Sequence, residues 1–178
     1  MLNKIKSFIF GPDYSQLKKE YEAELINLER IKNKAEKYYK NGDFYCSESI
    51  VKTFIEEFNL DLSNDVVAMA SSFPVGMGHS GCSCGAVIAS QMMIGYFFGR
   101  RNAGENKVEK AMELSAEAHD YFKEKNGCLC CRVLTKDYKI GSKKHRKQCI
   151  KFTGEMAYYT AKLICDELDI NYITAEAW

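Results

Sequence analysis

Two cysteines one residue apart, Cys82 and Cys84, close the glycine-rich stretch GHSGCSCGAVIAS and lead directly into an apolar segment. The 178-residue chain holds eight cysteines, the others being Cys46, Cys128, Cys130, Cys131, Cys149 and Cys165. In its thiolate form cysteine binds metals, attacks disulfides or holds an inorganic cluster. Small secreted domains use disulfides because they cannot build a core, but this chain, 46% hydrophobic, is long enough to build one. Its start, MLNKIKSFIFGPDY, lacks a signal-peptide apolar region and a small-residue cleavage site, so a reducing, cytoplasmic location is expected. The thiols therefore read as ligands or redox groups, except Cys165, which in AKLICDEL reads as an ordinary packed core residue.

The elements that must position these thiols are helical. Tyr14, Leu17, Tyr21, Leu28, Ile31, Ala35 and Tyr38 lie on a heptad stripe, which predicts one long amphipathic helix from Tyr14 to Lys40, broken on its stripe by Glu24. NGD at 41–43 ends it. YCSESIVKTFIEEFNL predicts a second helix, capped by Ser47 or Ser49, with Val51, Phe54, Ile55 and Phe58 buried and Cys46 in its first turn. No charged residue occurs from Val66 to Gly99, but Pro74 and several glycines split this run. Residues 84–99 are short for a bilayer, so a central helix buried on all sides is expected, not a membrane span. Val108, Met112, Ser115, Ala116, His119 and Phe122 mark the inner face of a further helix that Gly127 stops. The last helix runs from His145 to Leu168 with Ile150, Met156, Tyr159 and Leu163 inward. No stretch alternates with period two, so the expected class is all-α, a compact bundle of about five to six helices. Residues 1–40 are expected to form an N-terminal extension with the long helix and 41–178 a cysteine-rich helical redox domain, one compact domain overall.

Cys46, Cys84, Cys131 and Cys149 each fall near the start of a predicted helix, where unpaired N–H groups and the helix dipole favour an anion. Four thiolates turned to a common centre would make a closed site. The glycines of VGMGHSGCSCG would let backbone N–H groups approach the sulfurs.

FYCSESIVKTFIEEFNLDL, GMGHSGCSCGAVIAS, CRVLTKD and CIKFTGEMAYYTAKL, in this order, resemble the family described as redox-active and named for its C-GCAxxG-C-C cysteine pattern. The resemblance implies that Cys46, Cys84, Cys131 and Cys149 are the family's four cysteines, with Ala89 standing where the family has a glycine. A similar cysteine module occurs in split-Soret cytochromes, where an iron–sulfur centre accompanies haems. This chain has no C-x-x-C-H, so the resemblance implies a haem-free version.

Three functions compete for these residues. The leading one is an electron-transfer protein with an iron–sulfur cluster of unspecified type on four thiolates, since ligation by four cysteines suits both common cluster types. The second is a metal-free thiol–disulfide redox protein, supported by adjacent cysteines but lacking C-x-x-C and a thioredoxin-like pattern. The third is a four-cysteine site for zinc or another soft metal, against which the wide ligand spacing counts. Cys82, Cys128 and Cys130 are additional to the family pattern and read either as spare ligands and resolving thiols or as passive. Among the histidines, His79 reads as a solvated loop residue, His119 beside Asp120 as part of a helix face, and His145 as part of a basic stretch. Lys136, Lys139, Lys143, Lys144, Arg146, Lys147 and Lys151 make residues 136–151 either a solvated loop or a dock for an acidic electron carrier. Nucleic acid is disfavoured by the net charge of +1 and by the lack of aromatics among these residues apart from Tyr138. The N-terminal stripe reads equally well as packing on the chain's own body or as a seam with a second copy, which makes a homodimer one expected assembly. No P-loop, catalytic triad motif or paired carboxylates name an enzymatic reaction.

Overall fold

The computed structural model describes residues 14–21, 25–104 and 108–174. The apolar patch at the start of the chain and the interruption at Glu24 lie outside the described residues. The all-α expectation holds, with five helices of 12 to 26 residues making the body of the fold.

The single helix expected over Tyr14–Lys40 is two, Ser15–Tyr21 (α1) and Leu28–Asn41 (α2). Before α2 the chain turns extended: Ile26–Asn27 (β1) pairs in parallel with Tyr172–Ile173 (β2), Ile26 opposite Tyr172. Two local facts favour the break. Asn27 is a good N-cap, and its Oδ1 accepts from the Arg30 N–H at 2.9 Å. Ile26, buried, donates its N–H to Asn171 O at 3.1 Å, which a through-going helix would forbid. The stripe itself packs on this chain's own core: Tyr21, Leu28, Ile31 and Ala35 are buried, and Tyr14 meets Phe98 edge-on at 5.2 Å. Tyr39, one residue beyond the expected Tyr38, is the buried aromatic at its end.

Cys46–Glu57 (α3) starts under a carboxylate cap: Glu48 Oε2 accepts from the Tyr45 N–H at 2.9 Å. Neither expected serine is the cap. The Ser47 hydroxyl donates to Ala70 O at 2.8 Å, joining α3 to Asp65–Ala70 (α4), and Ser49 is buried. A single turn, Pro74–Met77 (α5), leads to Gly85–Phe98 (α6), the expected central helix. None of its residues is exposed, because α3, Val108–Asn126 (α7) and Lys143–Leu168 (α9) surround it. On α7 the inner face is Ala111, Leu114, Ala118 and Phe122. The expected Met112 is exposed, since the stripe is rotated toward the small alanines that allow close approach to α6. The short helix Cys131–Leu134 (α8) precedes α9, which lies along α2. At Gly154 of α9 the Glu36 side chain leaves no room for a Cβ. Among the described residues no helix is long and apolar enough to cross a membrane.

Candidate functional site

Four elements deliver four thiols to one place. Cys46 opens α3, Cys84 is the N-cap of α6, Cys131 opens α8, and Cys149 lies in the second turn of α9. All four line one small enclosed cavity of about 20 Å³, together with Tyr39, Val75, Gly85, His145 and Phe152. Such a volume admits one water-sized species. The lining contains no Asp, Glu, Lys or Arg.

Close backbone packing holds the walls together. A Cβ on Gly85 would fall 2.7 Å from Cys46 Sγ and 2.9 Å from Phe73 O, so only glycine lets α3 and α6 meet there. A Cβ on Gly76 would fall 2.6 Å from Cys82 N and 2.8 Å from Cys131 Cβ. Between Val75 and Gly81 the chain repeatedly enters left-handed φ, including the β-branched Val75 at 56°. That conformation is costly for valine and occurs where surrounding structure imposes it. Here it brings the Val75 N–H to the Cys46 sulfur, beside that of Ser47. Cys84 receives the Ala86 N–H in the same way. The loop before α6 is laced to the segment before α8 by Cys84 N–H to Leu129 O at 2.8 Å and Arg132 N–H to Gly81 O at 2.9 Å.

Burial overrides the helix starts in setting the charge of these thiols. Cys46 is pushed up to about 12 by burial, with the neighbouring Cys149 adding to the effect against the two backbone N–H groups. Cys84 is raised well above its ordinary range by burial and then by Cys46. Burial also raises Cys131, and lifts Cys149 to about 11 against the opposing hydrogen bond from Tyr39. The expectation of four thiolates stabilised by helix dipoles is thus corrected: the free site holds neutral thiols, and Cys149 lies beyond the first turn, where the dipole fades.

His145 belongs to the site, although its sequence context reads only as basic. It is buried, and burial lowers its basicity. Its Nδ1 accepts from the Gly141 N–H at 3.2 Å, so the neutral ring carries its proton on Nε2, which faces Cys149 Sγ at 3.7 Å. The signal in the sequence is the i,i+4 spacing of His145 and Cys149, which puts both on one helix face. Tyr39 escapes a sequence reading for a related reason, its neighbour Tyr38 fitting the heptad stripe better.

The remaining thiols and histidines divide as follows. Cys165 is fully buried in the core. Cys82 is exposed, and Cys128 and Cys130 are half-buried, outside the cavity lining. His79 is exposed, and His119 pairs with Asp120 at 2.7 Å on the surface of α7. The four remaining thiols share the lining of the one cavity. Among the described residues no three His, Cys, Asp or Glu side chains are gathered to hold a metal ion.

A broad groove of about 770 Å³ lies next to the cavity, lined by Lys136, Lys144, Lys147 and Lys151 with Tyr138 and Cys128. Phe152 lines both spaces.

Comparison with known families finds that the one described as "Putative redox-active protein (C_GCAxxG_C_C)" matches residues 44–163. A curated protein of Archaeoglobus fulgidus, described as uncharacterized, is 26% identical over 129 residues, covering 68% of this chain and 85% of its own length. No solved structure matches.

Proposed function

This chain belongs to the C_GCAxxG_C_C family, and on that footing we propose that it is a redox protein in which Cys46, Cys84, Cys131 and Cys149 hold an iron–sulfur cluster. The observation that carries this reading is that the four family cysteines, from four separate elements, line one enclosed cavity free of carboxylate and ammonium groups. Four soft sulfur donors fit such a group and suit hard cations poorly. A bound cluster supplies one-electron oxidation and reduction.

The chain's own residues prepare the place. The N–H groups of Ser47, Val75 and Ala86 aimed at Cys46 and Cys84 offset negative charge on sulfur once the thiols have lost their protons. The Nε2–H of His145 and the hydroxyl of Tyr39 do the same at Cys149. Val75 and Phe152 exclude water. In this reading an acidic electron carrier docks at the lysines of residues 136–151, in a groove that shares Phe152 with the thiol cavity, in a reducing cytoplasm.

One observation favours a second reading, reversible disulfide chemistry among the same four thiols. The cavity of about 20 Å³ takes one water-sized species, and among the described residues no three His, Cys, Asp or Glu side chains are gathered to hold a metal ion. Serine variants separate the two readings. Anaerobically purified protein is expected to be coloured and to bleach on reduction. Cys46→Ser, Cys84→Ser, Cys131→Ser and Cys149→Ser should each lose the colour, whereas Cys82→Ser, Cys128→Ser and Cys130→Ser should keep it. A colourless protein with a mapped disulfide among the four would establish the second reading.

A further inference from the structure

We propose that Cys82 and Cys130 form a second redox site on the protein surface, a dithiol that small-molecule disulfides oxidise reversibly to a Cys82–Cys130 disulfide. This site is independent of the cluster reading, because neither residue lines the buried cavity.

The two cysteine-rich motifs split their thiols between inside and outside. In CSC, Cys84 is buried and Cys82 is exposed; in CLCC, Cys131 is buried and Cys130 is half-buried. The outward pair meets across the joint between the two loops. Arg132 N–H to Gly81 O at 2.9 Å, Cys84 N–H to Leu129 O at 2.8 Å and the Arg132 Nη2 donation to Ser80 O at 2.7 Å hold those loops side by side. Cys130 Sγ donates to Gly81 O at 3.1 Å, which sets the Cys130 thiol against the residue next to Cys82. A glycine at 81 is needed for this approach, since its φ is +83° and a Cβ there would fall 3.0 Å from Arg132. Loops paired this closely bring the two thiols to neighbouring positions, which is what a disulfide between them requires.

The exchange balances with an external disulfide as oxidant. The exposed Cys82 sulfur, as thiolate, attacks one sulfur of RSSR, forming a mixed disulfide and releasing RS⁻. The Cys130 sulfur then gives up its proton and attacks the Cys82 sulfur, releasing the second RS⁻. The two RS⁻ leave as RSH with the two protons lost by the protein, and two electrons have passed from the dithiol to the reagent. Excess RSH runs the sequence backward.

The test uses the full chain, reduced, freed of reductant anaerobically, then treated with oxidised glutathione and alkylated under denaturing conditions. Peptide fragmentation is expected to show a Cys82–Cys130 link, with both residues protected from alkylation and both restored by excess reduced glutathione. Cys82→Ser and Cys130→Ser should each abolish the link, and Cys128→Ser and Cys165→Ser should leave it intact. Full alkylation of Cys82 and Cys130 after oxidation, or a link that joins Cys82 to Cys84 or Cys128 instead, would overturn the proposal. Because the wild-type map reads the pair directly, a variant that fails to fold does not decide the matter. Loss of visible colour with the link still formed would count against the cluster alone.

Discussion

At Cys46 two tendencies oppose each other: the start of a helix favours a thiolate, and burial favours the thiol. Burial wins, pushing the group to about 12 from an ordinary 9.0. The sign of the stability effect follows. An acid whose pKa is raised by folding contributes stability that is complete below the unfolded value and is lost as pH rises through that value toward the folded one. For Cys46 and Cys149 the window runs from 9.0 toward about 12 and about 11 respectively. Each such thiol should remove about 1.4 kcal/mol of stability per pH unit within its window. Urea unfolding of the reduced, metal-free protein between pH 8 and pH 10.5 should therefore show a falling stability whose slope is shallower in Cys46→Ser. Equal slopes would mean that the thiol is not buried as described. That Cys46, Cys84, Cys131 and Cys149 share one cavity could be anticipated from the sequence, where each falls near the start of a predicted helix. The balance of burial over dipole could not, since it depends on which groups close over the sulfurs. His145 shows the same limit: its neighbours in sequence are lysines and an arginine, and its burial comes from facing the thiol cavity.

At the scale of elements, α6 contains two glycines with opposite roles. Gly85 faces Cys46 Sγ and the Phe73 carbonyl, while Gly95 has open space where a Cβ would stand. Gly85→Ala should lower stability by about 1–3 kcal/mol through overpacking and displace Cys46. Gly95→Ala should raise it by about 0.5–1 kcal/mol, the usual gain from replacing glycine within a helix. Chemical denaturation of both variants checks the pair, and equal effects would contradict the packing of α3 on α6. The central helix could be read from its uniform apolar character, but the face of α7 could not. Its stripe is set by alanines, which carry little hydrophobic signal yet determine how closely α6 can approach. The break between α1 and α2 was hidden for a related reason, because the strand pairing of Ile26 with Tyr172 joins opposite ends of the chain.

For the whole molecule, the N-terminal segment is structural. Leu28, Ile31, Ala35 and Tyr39 are buried in the common core, and Tyr39 also walls the thiol cavity. Burying each large apolar side chain is worth about 1.5–3 kcal/mol, against a total stability of about 5–15 kcal/mol for a domain. A chain lacking residues 1–40 should therefore lose cooperative thermal unfolding, seen by circular dichroism; a sharp transition at an unchanged temperature would contradict the shared core. The heptad stripe foretold this packing but also suggested a homodimer, and sequence periodicity alone does not distinguish a partner from the chain's own body. The central claim, that the four buried thiols hold an iron–sulfur cluster, meets its most direct test in one measurement. Iron, zinc and acid-labile sulfide are quantified per chain in anaerobically purified protein, with Cys84→Ser alongside. Iron and sulfide are expected in comparable amounts with little zinc, and both iron and sulfide are expected to be lost in Cys84→Ser. Iron and sulfide absent from the wild-type protein, or retained in full by Cys84→Ser, would contradict that claim.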